Sequence, residues 1–147
     1  MERDRLRLQL HDLLRAETGA LDVTRRCGHC GSTDHGRPLA VGVDQPHVSL
    51  SYTDGLAAVA WSWAGPVGID VEREGPPVGE FGDRVTWTRI EALLKTTGEG
   101  LRRDPTDLPD LPTTRLELPE GYVGTVAGTG VSWRTVGPAA PRRTTTA

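Results

Sequence analysis

At 147 residues the chain is one domain's worth of sequence, long enough to bury roughly two-thirds of the surface its unfolded form exposes. Hydrophobic residues at 36%, with 18 Gly and 11 Pro, exclude a wholly disordered chain and point to a loop-rich globular protein with a modest core. A formal net charge of −3 supplies no field that would draw nucleic acid.

The opening residues, Met1, Glu2, Arg3, Asp4 and Arg5, contain no apolar run of the kind an export signal needs. The most apolar window, residues 55–69, holds Ser62, Gly65 and Pro66 and is too short to span a bilayer. The expected compartment is therefore the cytoplasm, with no membrane partner. A reducing compartment argues against a disulfide between the two cysteines, Cys27 and Cys30.

Residues 1–18 read as an amphipathic helix, because Leu6, Leu10, Leu13 and Leu14 recur at helical spacing and Gly19 supplies a stop. Its arginines, Arg3, Arg5, Arg7 and Arg15, fall mainly on other faces, where solvation alone accounts for them. Cys27, Gly28, His29, Cys30 and Gly31, with His35 nearby, raise a zinc reading. One C-x-x-C without a second pair falls short of the four ligands of a closed site, so a turn is favoured. Arg37, between Gly36 and Pro38, presents a planar fork suited to phosphate or to stacking on a base.

Residues 47–53 (HVSLSYT) and 56–63 (LAAVAWSW) read as a hairpin turned at Asp54 and Gly55. In residues 65–72 (GPVGIDVE), Val67, Ile69 and Val71 alternate with Gly68, Asp70 and Glu72. The reading is a strand with both carboxylates on the face away from its apolar layer. Two like charges side by side on a strand repel, and a cation offsets that repulsion; all-oxygen ligands suit Mg²⁺. The plain alternative is a solvated sheet face.

Residues 73–86 form a Gly- and Pro-rich connection, after which Trp87, Ile90 and Leu94 make an apolar helical stripe. Thr88 with Glu91 fits a capping box, Gly98 fits a stop, and Glu91 and Lys95 share one face, where a surface ion pair is the plain reading. Residues 103–112 read as an acidic, proline-rich loop, 115–118 as an edge strand, 119–127 as a closing strand and 131–136 as a last strand. Residues 137–147, with Pro138, Pro141 and a threonine run, read as a disordered tail.

Together these motifs resemble the Sfp-type 4'-phosphopantetheinyl transferases. The resemblance rests on G-I-D-V-E at 68–72, then on W-x-x-x-E-A-x-x-K at 87–95 continuing into Gly98, Glu99, Gly100 and Leu101. Upstream it includes H-G-R-P at 35–38 and the S-x-S run ending at Thr53. It implies an α+β fold of two small sheet-plus-helix halves related by a pseudo-twofold. The single domain would then cover 1–136, with an incomplete first half at 1–63 and a second half at 64–136.

The resemblance further implies transfer of 4'-phosphopantetheine from coenzyme A to a serine of an acyl or peptidyl carrier protein, a holo-acyl-carrier-protein synthase activity. By resemblance Asp70, Glu72 and Glu91 would hold Mg²⁺, with Glu91 also the candidate base, and Lys95 would stabilise developing charge. Arg37, Ser51, Tyr52, Thr53 and Lys95 would contact coenzyme A, as would Arg5 or Arg7. Two substitutions depart from the family pattern: Tyr52 stands where a histidine is usual, and Ile90 where a lysine is usual. The connection at 73–86 is also short, and the first half opens late. These departures favour a second reading, a relative that binds coenzyme A or a carrier protein without turnover. A third, a small zinc or nucleic-acid module, would rest on Cys27 and Cys30.

Overall fold

The computed structural model describes residues 2–20, 22–26, 30–32, 37–98, 104–137 and 144–145. Cys27, His29, His35, Gly36, Glu99, Gly100 and most of the 137–147 tail therefore lie outside the described residues.

The first helix, α1 (Glu2–Thr18), buries Leu6, Leu10 and Leu14 on one stripe. It ends where the Gly19 N–H meets the Arg15 carbonyl at 2.9 Å, with Gly19 at a φ of 74° that costs a glycine little. Strands β1 (Asp22–Arg26), β2 (Arg37–Val41), β3 (His47–Thr53) and β4 (Leu56–Ser62) follow as antiparallel neighbours. The expected hairpin is β3–β4, in register from His47 opposite Ser62 to Thr53 opposite Leu56.

Strand β5 (Gly68–Arg73) leaves this sheet, and α2 (Arg84–Thr97) comes next after a short 3-10 turn at Gly79–Phe81. Strands β6 (Thr113–Arg115) and β7 (Tyr122–Ala127) complete a second sheet in the order β5-β7-β6. The edge strand expected at 115–118 shares only Arg115 with β6, and residues 116–118 are not strand. The segment expected to close the fold, β7, is the central strand of its sheet. Strand β8 (Ser132–Val136) returns to the first sheet beside β4, and β9 (Thr144–Thr145) pairs with β8.

Among the described residues the result is an α+β fold of two helices and two antiparallel sheets, in which β8 carries the C-terminal part of the chain back across the 63/64 boundary. The leucines of α1 pack with Val23, Val48, Ala57, Val59 and Trp61 on one face of the first sheet. The other face supplies Leu56, Ala58, Ala60 and Trp133 to a core shared with Ile69, Val71 and Val126 of the second sheet. Strand β4 is covered on both sides, and every residue in it is buried. No helix among the described residues is long and apolar enough to cross a membrane.

Helix α2 begins four residues before the expected Thr88–Glu91 capping box. Asp83 is the N-cap, its carboxylate accepting from the Thr86 N–H at 2.7 Å. Thr88 lies inside the helix, wholly buried, and its hydroxyl is 2.8 Å from that of Thr125 on β7. Gly98 does end the helix, at a φ of 73°.

Candidate functional site

Strand β5 and helix α2 build the site. Gly68, Asp70 and Glu72 form one row of β5, and α2 runs across that row. A Cβ at Gly68 would collide with the Ala92 carbonyl oxygen, so only glycine admits the helix this close to the strand. The approach buries what comes next in the row: the Asp70 side chain is 5% exposed. Asp70 does face away from the layer of Ile69 and Val71, as the alternation requires. It points under a helix, however, and not to solvent.

Lys95 reaches into this junction from α2. Its ammonium donates to the Leu50 carbonyl of β3 at 3.0 Å, to the Ile69 carbonyl of β5 at 2.8 Å and to Asp70 Oδ1 at 3.4 Å. A lysine has three N–H donors, and these acceptors match them. The expected surface pairing of Lys95 with Glu91 is replaced by an ammonium that joins three elements.

Ser49 and Ser51 complete the seam. β5 is an edge strand of its sheet, and its outward N–H groups need acceptors. Ser49 Oγ accepts from the Ile69 N–H at 3.1 Å, and Ser51 Oγ accepts from the Val71 N–H at 2.9 Å while its own hydroxyl donates to Asp70 Oδ1 at 3.4 Å. The S-x-S spacing thus matches two N–H groups two residues apart on a neighbouring strand. Both serines are buried.

Asp70 Oδ2 is buried with no hydrogen-bond partner among the described residues. Burial pushes the Asp70 carboxyl up to about 7; the Lys95 charge opposes this, and the neighbouring Glu72 and Glu91 charges add to it. Glu91 is also raised, first by burial, against the pull of Lys95 and with a further push from Glu72. The three carboxylates therefore share one electrostatic neighbourhood. Glu72 is held at its outer side by Arg84, with Nη1 3.6 Å from Oε1.

Among the described residues, no group of three or more His, Cys, Asp and Glu side chains is drawn together tightly enough to hold a metal ion. Lys95 lies 3.4 Å from Asp70 and Arg84 3.6 Å from Glu72. The donor set itself, carboxylates with one buried unpartnered oxygen, is of the kind a hard divalent cation takes.

The other sequence-predicted residues divide by strand geometry. Tyr52 follows Ser51 on β3, so it points to the opposite face, where it packs with α1 and lies under the Arg3 guanidinium, 4.9 Å from its ring centroid. Its hydroxyl is buried without a partner among the described residues, and burial raises its pKa. Tyr52 is thus separated from the acidic row. Thr53, at the end of β3, is half-buried.

Arg37, on β2, donates from Nη2 to the Thr96 carbonyl at 2.8 Å, so its fork caps the C-terminal turn of α2, an end that favours positive charge. It also lines a cavity of about 220 Å³ with Pro38, Gln45, His47, Pro66 and Val67. Arg7, on α1, is half-buried, with its guanidinium 3.9 Å from Asp4 Oδ1. Cys30 is exposed.

Sequence reasoning missed Arg84, Thr88 and Thr125 as parts of the site. Thr125 stands directly opposite Asp70 in the β5–β7 register, a pairing that no local pattern announces.

What fold and site define is an α+β domain with a buried aspartate and a lysine clamped between a helix and two strands. The chain matches no protein-family model and no curated protein.

Proposed function

We propose that this protein transfers 4'-phosphopantetheine from coenzyme A to a serine of an acyl or peptidyl carrier protein, in the manner of the Sfp-type transferases its motifs resemble. The observation that carries the reading is the buried Asp70 carboxylate, in one row of β5 with Glu72, with one oxygen unpartnered among the described residues and Lys95 of α2 3.4 Å from the other. The pseudo-twofold architecture belongs to the same reading. Its support is that each sheet packs one helix, α1 on the first and α2 on the second.

In this reaction the carrier serine oxygen bonds to the β-phosphorus of coenzyme A. The bond from that phosphorus to the bridging oxygen breaks, and adenosine 3',5'-bisphosphate leaves. Asp70, Glu72 and Glu91 would hold Mg²⁺, which supplies neutralisation of the pyrophosphate oxygens. Glu91, half-buried and with a raised pKa, is the group to take the serine proton. Lys95 would meet the developing charge on the leaving phosphate. Ser51 and Arg37 support the site by holding β5 and the end of α2. The cavity beside Arg37 is the candidate seat for part of the coenzyme.

A second reading, a relative that binds coenzyme A or a carrier protein without turnover, draws on Lys95. Its three donors are matched by protein acceptors, so it serves a phosphate only by giving one up. Incubation with coenzyme A, Mg²⁺ and a panel of apo carrier proteins, read by intact-protein mass, separates the two. A carrier heavier by one phosphopantetheine establishes transfer. Coenzyme A binding by calorimetry with no mass change establishes the second reading.

A further inference from the structure

We propose that Arg84 is a built-in competitor for the acidic row, a guanidinium that occupies the outer carboxylate of Glu72 and is displaced when a divalent cation enters. The inference rests on the reading of Asp70, Glu72 and Glu91 as cation ligands, and concerns a residue that reading does not include.

Arg84 is the first residue of α2, immediately after the Asp83 cap, so its backbone position is set by the helix start. From there its side chain makes two contacts at once. Nη1 lies 3.6 Å from Glu72 Oε1, and Nε donates to the Pro76 carbonyl at 2.9 Å. Both partners of the ion pair are about two-thirds solvent-shielded, with side-chain exposures of 30% and 26%. A pair at this depth holds a definite geometry yet breaks at modest cost.

The electrostatics give the pair a consequence. Asp70 and Glu72 stand in one row of β5, where neighbouring carboxylates repel each other. Arg84 offsets part of that repulsion. A divalent cation at the same carboxylates would do so more strongly, and would meet Arg84 as a like charge at close range. The two therefore exclude each other at Glu72, and the affinity for the ion is lowered by whatever the Arg84 contact contributes. Arg84 is also tied to the segment between β5 and α2 through its Nε bond to the Pro76 carbonyl. That segment is also held by Phe81 against Trp87, with ring centroids 5.1 Å apart, which leaves the helix start ordered.

The test is Mn²⁺ binding by the full-length chain, followed by electron paramagnetic resonance of the free ion, for wild type and for Arg84→Gln, Arg84→Lys and Asp70→Asn. Circular dichroism confirms the fold of each. Arg84→Gln is expected to bind Mn²⁺ about three- to tenfold more tightly than wild type, Arg84→Lys close to wild type, and Asp70→Asn at least tenfold more weakly. A structural role alone would weaken binding in Arg84→Gln, not strengthen it. Equal or weaker binding by Arg84→Gln, with Asp70→Asn still impaired, overturns the competition and leaves the cation site standing. Absence of Mn²⁺ binding in wild type and Arg84→Gln alike overturns the cation site and the competition with it.

Discussion

The two helices are attached to their sheets in different ways. Helix α1 is held by Leu6, Leu10 and Leu14 against Val23, Val59 and Trp61, with Arg15 bonding Asp12 and Asp22 at 2.8 and 3.0 Å and Glu17 bonding the buried Arg134 of β8 at 3.3 Å. Helix α2 also buries hydrocarbon, through Ile90, Leu93 and Leu94, and sets more polar groups within its contact: Lys95 on two strand carbonyls and Asp70, and Thr88 on Thr125. Apolar contact is non-directional and tolerates sliding, whereas buried polar contacts fix position and cost stability if left unmade. The first attachment holds the domain together. The second fixes Lys95 against Asp70.

The sharpest test of that contrast is Asp70→Asn, which keeps the size of the side chain and removes its charge. Phosphopantetheine transfer to a carrier is expected to fall by about a hundredfold or more in the mass-shift assay, while the fold stays intact. Unimpaired transfer would end the assignment of function to the α2 attachment.

On the α1 side, Leu10→Ala removes a fully buried side chain and is expected to cost about 2–5 kcal/mol in urea unfolding, with Mn²⁺ affinity unchanged in the folded protein. A change in affinity would mean that the two attachments are coupled. Lys95→Met keeps the hydrocarbon stem but strands the Leu50 and Ile69 carbonyls and the Asp70 carboxylate. A loss of about 2–3 kcal/mol is expected at neutral pH, and neutral stability would show that the clamp is dispensable to the fold.

The pH dependence follows from the raised Asp70 value. Because the folded protein holds a proton that the unfolded chain releases, this group favours the folded state at low pH. Its contribution declines as pH rises from 3.8 through about 7 and is level above that. In metal-free buffer the Asp70 contribution is expected to be on the order of 2 kcal/mol lower at pH 8 than at pH 5, and Asp70→Asn should remove that part of the slope. An unchanged slope in the variant would place the titration elsewhere. The smallest effect is at the helix start: Asp83→Ala loses the N-cap and is expected to cost about 1 kcal/mol in the same unfolding measurement.

Local pattern was enough to find α1, the β3–β4 hairpin, β5 and the stop of α2 at Gly98, since each is written in spacing that one element imposes on itself. It was not enough for the start of α2. Thr88 has the right partner three residues on for a cap, but Asp83 stands earlier and captures the helix N-terminus. Thr88 then turns its hydroxyl to Val85 and Thr125. The order of the strands was equally out of reach. That β8 pairs with β4, and that β7 is central between β5 and β6, depends on contacts between residues far apart in the chain.

At the site the same division holds. The D-x-E alternation and the E-x-x-x-K spacing put Asp70 with Glu72 and Glu91 with Lys95 on single faces, because side-chain direction repeats every two residues on a strand and about every 3.6 on a helix. Whether the two faces meet, how deep Asp70 lies, and whether the Lys95 ammonium and the Ser51 hydroxyl stay open to a ligand or are taken by partners within the protein were decided by the packing of α2 over Gly68 and of β3 beside β5. The sequence by itself determined the periodicities, and with them the faces. Tertiary structure alone decided burial and partnership, because these belong to pairs of elements and no single stretch of chain contains them.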